Sequence, residues 1–182
     1  MPRPLTPGLE DRILDAAQAL WSAGGEDALS MRAVAERAGT HPPRIYARFQ
    51  DKQALVRALR SRAVERWRAR ISGARSLRDG LARYLDFAED DAFEYQLLFG
   101  PGFLQRVERS DEGRPIEVLK RALAAEQGGA AEDYANAALA IWAVLHGTAM
   151  LQREFPAGSD RSHFRAACLD ACELIAAGSL RR

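Results

Sequence analysis

Thr40, His41, Arg44, Tyr46, Arg48 and Lys52 gather hydroxyl, imidazole, guanidinium and ammonium donors into one short stretch of the chain. Donors of these kinds on a short helix suit phosphate oxygens and base edges. An arginine can bond a guanine edge bidentately, while a tyrosine hydroxyl or a lysine ammonium can take a phosphate. Nothing comparable offers catalysis. The chain has no glycine-rich phosphate loop and no His-Glu-x-x-His pair, and its three histidines, His41, His146 and His163, are widely spaced. No catalytic residue, metal site or cofactor is expected. Asp90, Asp91 and Glu94 read as one helix end followed by the next helix start. Cys168 and Cys172 stand one turn apart, a spacing that favours packing or an interface seam over a disulfide, with a redox sensor as the lesser alternative.

The elements that must position these residues follow from composition and periodicity. The 182 residues are 47% hydrophobic and 28% charged with a net charge of +1, which excludes a polybasic tail or a disordered acidic chain. The charge is unevenly spread: residues 1–75 hold 14 Lys and Arg against 8 Asp and Glu, or +6, and residues 76–182 hold 12 against 17, or −5. A polyanionic partner is therefore expected for the N-terminal third alone. Two cysteines give no reason for secretion, and Met1-Pro2-Arg3-Pro4-Leu5 lacks the apolar core of a signal peptide. The longest near-apolar run, residues 137–151, spans 15 residues and is interrupted by His146, Gly147 and Thr148. A membrane span needs about 20, so the expectation is a soluble cytoplasmic protein with no membrane partner.

Helical periodicity runs throughout and no stretch alternates like a strand. Ile13, Ala17, Leu20 and Trp21 line a first helix that stops at Gly24-Gly25. Ser30 caps a short second helix with Met31, Val34, Ala35 and Ala38 inward, and Gly39 ends it. Pro42-Pro43 opens a third helix carrying Ile45, Tyr46 and Phe49 to about Gln50. The restriction on residues before proline predicts that His41 and Pro42 are non-helical and Pro43 is the first helical residue. Asp51 caps a long fourth helix with Val56, Leu59, Ala63, Trp67 and Ile71 on one side, and Arg57, Arg60, Arg62, Arg66, Arg68 and Arg70 read mostly as its solvated face. A break near residue 75 separates domains at 7–67 and 76–182. Further helices follow, the last two at about 131–153 and 160–178. The fold class is all-α, with about nine helices.

Residues 30–49 thus form a short helix, a tight turn and a second short helix, the pattern of a helix-turn-helix. Ala35-Glu36-Arg37-Ala38-Gly39, then Ile45-Tyr46, Phe49, Lys52 and Leu55, resemble the TetR family of bacterial transcriptional regulators. Ile13-Leu14-Ala16-Ala17 and Leu20 are similar to the family's first helix, and the likeness covers residues 9–60. The chain departs from the family pattern at Thr40-His41, where Val-Ser is frequent, at Pro43, where Gly or Ala is frequent, and at Arg48, where His or Tyr is frequent. The resemblance implies an N-terminal three-helix DNA-binding domain and a C-terminal helical ligand-binding and dimerisation bundle. It implies a DNA-facing set of Ser30, Arg32, Thr40, His41, Arg44, Tyr46, Arg48 and Lys52, with Tyr46 and Lys52 on phosphates and Arg44 on bases. The partners it implies are a near-palindromic double-stranded operator, a second copy of the chain and a small-molecule effector that releases a repressor. A same-fold activator or protein-binding module without ligand control, and a helical enzyme with an unrecognised site, are the alternatives.

In the C-terminal part, residues 141–147, Ile-Trp-Ala-Val-Leu-His-Gly, resemble the Trp-His-Gly signature of one TetR subgroup, and residues 93–99 with Tyr95 and Leu98 resemble that subgroup as well. A helix apolar on every side, as residues 137–151 would be, must be covered on more than one face, by a partner subunit or an enclosed cavity. Trp142 and His146 share a helix face, and both core packing and a pocket wall remain open for them. Trp67, Phe99, Phe103, Trp142 and His146 are the expected pocket residues, for hydrophobic or cationic-aromatic compounds rather than sugars or nucleotides. The expected dimer contact joins residues 131–153 and 160–178, including the stripe Phe164, Cys168, Cys172 and Ile175.

Overall fold

Every regular element among the described residues of this computed structural model, 8–100, 115–156 and 158–179, is a helix. Nine α-helices are described: α1 (Leu9–Gly24), α2 (Met31–Arg37), α3 (Pro42–Tyr46), α4 (Lys52–Ile71), α5 (Leu77–Asp90), α6 (Ala92–Phe99), α7 (Pro115–Gln127), α8 (Ala135–Gln152) and α9 (Ser162–Gly178). Two 3-10 turns, Glu26–Ala28 and Ala131–Tyr134, precede α2 and α8. The backbone divides into two compact units, residues 1–63 and 64–182. The division falls inside α4. Trp67, which the sequence reading assigned to the first domain, packs edge-on against Phe99 with ring centroids 5.9 Å apart.

In the first unit, local signals set the helix ends. Ser30 Oγ accepts the Ala33 N–H at 3.1 Å, capping α2. Gly39 takes the left-handed conformation, φ 63°, that a residue with a Cβ disfavours. Its N–H donates to the Glu36 carbonyl at 3.1 Å and the Thr40 N–H donates to the Ala35 carbonyl at 2.9 Å. These paired bonds satisfy the last carbonyls of α2 and turn the chain sharply into α3. Asp51 Oδ1 accepts the Ala54 N–H at 2.6 Å and caps α4. Ile13, Ala17, Val34, Ile45, Leu55 and Leu59 close the core between these helices. Pro42, not Pro43, is the first helical residue, and α3 ends at Tyr46 rather than near Gln50. The restriction before proline is a bias, and two missing N–H groups in a first turn leave no hydrogen bond unmade.

In the second unit, α8 runs through the centre and packs against α5, α7 and α9. Residues 131–152 are long and apolar enough to cross a membrane by length and composition, but Ala138, Ile141, Trp142, Leu145 and Ala149 are buried against those neighbours, as in the core helix of a globular unit. Its other face leaves Leu139, Met150 and Leu151 exposed. On α9, Cys168 and Cys172 face inward and are buried, so they do not lie on an outward seam. The Cys172 thiol sits 4.0 Å from the Ile141 carbonyl oxygen of α8. The outward apolar residue of α9 is Leu174, 74% exposed.

Three of the six arginines of α4 are ion-paired, so the solvated face read from spacing holds only in part. Arg62 donates to Asp15 and Gln18 of α1, each at 2.7 Å, within the first unit. Within the second, Arg66 pairs with the buried Glu94 and Arg70 with Asp90. Helical spacing assigns a residue to a face and says nothing of which acid another helix brings to it.

Candidate functional site

The first candidate surface is built on α3. His41 is extended, φ −112° and ψ 146°, and α3 then buries Ile45 completely. With that side chain and Phe49 inward, His41, Pro43, Arg44 and Tyr46 are left outward, Tyr46 at 53% exposure. Arg32 is exposed on α2, and Ser30 is exposed while its hydroxyl caps that helix. Three of the expected DNA-facing residues are less exposed or are engaged within the unit. Arg48 is half-buried and donates to Glu10 of α1 at 3.0 Å. Thr40 is half-buried, and its hydroxyl has no hydrogen-bond partner among the described residues. Lys52 Nζ donates to the Glu26 carbonyl at 2.7 Å, which fastens the start of α4 to the turn before α2.

The second candidate is a cavity of about 650 Å³ in the C-terminal unit, between the end of α4, the start of α5, α7 and α8. That volume suits a small organic molecule. Trp67, Ile71, Leu81, Tyr84, Trp142 and Leu145 give it an apolar wall, with Arg68, Arg75 and Glu126 also lining it. Of the expected pocket residues, Trp67 and Trp142 line it, and Phe99 and His146 do not. Phe103 lies outside the described residues. Leu81 and Tyr84, three residues apart on α5, share a face of that helix and both line the cavity.

The comparisons with known proteins agree with this architecture. Residues 13–59 match the family model for bacterial regulatory proteins of the TetR family, and residues 77–171 match the tetracycline repressor-like C-terminal domain. The chain belongs to the TetR family. The class A tetracycline repressor protein from transposon 1721 of Escherichia coli is 36% identical in an alignment covering 42% of this chain and 41% of that protein. The chain thus spans less than half the length of that relative. The solved structures similar in fold include a TetR-like transcriptional regulator from Rhodococcus sp. RHA1, with 22% identity, TM-score 0.68 and 98% of each chain covered. A TetR-family transcriptional regulator from Streptomyces coelicolor has 24% identity, TM-score 0.60, and coverage of 94% of this chain and 97% of that one. The fatty acid degradation regulator FadR from Bacillus halodurans has 16% identity, TM-score 0.66, and coverage of 93% and 96%.

In this TetR-family chain, Phe99 and His146 form the layer behind the cavity wall. The Tyr84 and Tyr95 hydroxyls share a hydrogen bond of 3.1 Å, and Tyr95 Oη lies 2.7 Å from His146 Nδ1. His146 also stacks on Trp142, with ring centroids 5.3 Å apart. Burial drives the Tyr84 hydroxyl well above its ordinary range and pushes Tyr95 up to about 12. Burial lowers the pKa of His146, so the neutral imidazole persists at neutral pH, with Tyr95 donating to Nδ1 when the proton is on Nε2. The chain of groups runs from the cavity wall at Tyr84 to a half-buried histidine that is neutral at neutral pH.

The sign of the resulting pH dependence follows from linkage. A histidine with a depressed folded pKa takes up its proton more readily in the unfolded chain, so its contribution to stability is complete above an unfolded pKa of about 6.5 and is lost as pH falls below it. Stability from urea unfolding should fall as pH drops below about 6.5, and His146→Gln should flatten that slope. A slope unchanged by the substitution would show that His146 is not the group responsible.

Proposed function

We propose that the chain is a DNA-binding transcriptional regulator acting as a homodimer, a repressor that leaves a near-palindromic operator when a small molecule fills the cavity of the C-terminal unit. The observation that carries the DNA part is the outward face of α3, with Arg44 and Tyr46 exposed over a fully buried Ile45, in the third of the chain that holds the excess of basic residues. A short helix supported in this way can lie in the major groove, and two of them on a two-fold axis read two half-sites. The apolar surfaces of α8 and α9 support the dimer. Ligand control is supported by α4, one uninterrupted helix whose Leu55 and Leu59 belong to the N-terminal core and whose Trp67 and Ile71 line the cavity. The effector must favour the DNA-incompetent arrangement, because equal affinity for both arrangements shifts nothing.

The residue roles separate in a salt series. Arg44, near the start of α3, is assigned to a base edge, where a bidentate contact to guanine discriminates by about 1–3 kcal/mol. Lys52 is assigned to phosphate: its ammonium has three donors, of which the Glu26 carbonyl takes one. Fluorescence anisotropy with duplexes from the chain's own upstream region and scrambled controls should show Arg44→Ala losing affinity mainly for the specific duplex. Lys52→Ala should weaken both and reduce the salt slope by about one unit per lost contact. Uniform loss for Arg44→Ala with altered specificity for Lys52→Ala would reverse the assignment. A wild-type chain that binds no upstream duplex better than scrambled DNA would end the operator reading.

A further inference from the structure

The cavity has a charge pattern that its apolar wall does not require. Arg68 lines it, is exposed, and has no ion-pair partner among the described residues. Arg75, also lining, is 91% exposed at its side chain, and its nearest carboxylate, on Asp79, stands 4.0 Å away. That carboxylate is already committed: it accepts the Arg75 N–H at 2.9 Å and both Nε and Nη2 of Arg83, at 3.1 and 3.2 Å. Glu126 is the one lining acid among the described residues, and it accepts the Leu77 N–H at 3.1 Å.

The helix ends leave that sign standing. α5 begins at the cavity with Leu77, and the positive end of its dipole is met by the Glu126 carboxylate on the Leu77 N–H and by Asp79 in the first turn. The negative end of α4 is close by, but Arg83 covers it, donating to the carbonyls of Arg70, Ser72 and Gly73 at 3.3, 3.0 and 3.4 Å. What remains unmatched around the cavity is positive charge, over an interior walled by indole and aliphatic side chains.

We infer that the cavity takes an amphiphilic anion, its apolar body against Trp67, Leu81 and Trp142 and its carboxylate held by Arg68 and Arg75. This rests on the reading of the cavity as the effector site and reverses the cationic half of the sequence expectation. Two guanidiniums repel an ammonium head, and charge-assisted bonds from arginine to a carboxylate are stronger than those a neutral hydroxyl can make.

Decanoate, decanol and decylamine share one tail and differ in head charge, and tryptophan fluorescence reads their binding because Trp67 and Trp142 line the cavity. Wild-type chain should bind decanoate about tenfold more tightly than the other two at low salt, with the margin narrowing as salt rises. In the double variant Arg68→Glu, Arg75→Glu the order should invert in favour of decylamine. Both side chains are exposed, so the variant keeps its fold, as circular dichroism will verify. Equal binding of the three by wild type, an order unchanged by charge reversal, or binding of none of them overturns the inference. Decanoate that binds with this preference and leaves a protein–DNA complex intact upholds the charge assignment while removing the effector reading. Decanol or decylamine that fills the cavity in preference and releases DNA overturns the charge assignment while the effector reading stands.

Discussion

Leu174→Arg should give a folded monomer that has lost most of its affinity for a two-half-site operator. Leu174 is 74% exposed, so its replacement removes no core contact within the chain, while Leu139, Met150 and Leu151 extend the same apolar character onto the outward side of α8. In a two-fold interface each substitution occurs twice, which sets two unpaired guanidiniums in an apolar seam. Joined half-site readers gain about 10²–10⁴ in affinity from linkage, and the loss should be of that order. Sedimentation at micromolar concentration should show half the wild-type mass, with helical content unchanged. A variant that still sediments as a dimer would place the interface elsewhere. Leu174 and Leu139 are the sharper probes, since Ile175 is half-buried in its own chain and a charge there would confound misfolding with dissociation.

Trp67→Ala should cost about 3–5 kcal/mol in chemical unfolding, the range for removing a large buried aromatic side chain. Trp67 is 1% exposed and packs against the Phe99 ring at 5.9 Å. Trp67→Phe should cost far less. It keeps a ring against Phe99, and it removes an indole N–H that is buried without a hydrogen-bond partner among the described residues, a group whose burial itself costs about 1–3 kcal/mol. A Trp67→Ala loss below about 1 kcal/mol would contradict this packing.

The helices were legible where the signal is local. Ser30 and Asp51 as caps and Gly39 as a stop each depend on hydrogen bonds within a few residues, and the structure places those bonds where the residue types demand them. The register of α3 was not fixed by such rules, because a proline restricts its predecessor without forbidding the helix. Partners across space were invisible: Arg48 is read as outward by spacing alone, and its acid, Glu10, lies on another helix 38 residues away. Depth was invisible as well. Trp142 and His146 share one face of α8, yet the first lines the cavity and the second hydrogen-bonds Tyr95 behind it. On α9 the two cysteines and Leu174 all lie on apolar stripes, so hydrophobicity could not decide which stripe turns inward.

Only two of the 26 basic residues are lysines, and their settings differ. Lys120 is held by Glu117 and Glu132, at 3.2 and 3.3 Å, in the C-terminal unit, while Lys52 reaches the Glu26 carbonyl on the side proposed to meet phosphate. An amine-reactive ester therefore has two side-chain targets, one inside the proposed footprint and one in the other unit. Mass spectrometry of the acylated chain would report occupancy of the DNA surface as protection of Lys52, with Lys120 as an internal standard on the same molecule. The near absence of lysine thus makes the chain a self-calibrating reporter that needs no introduced label.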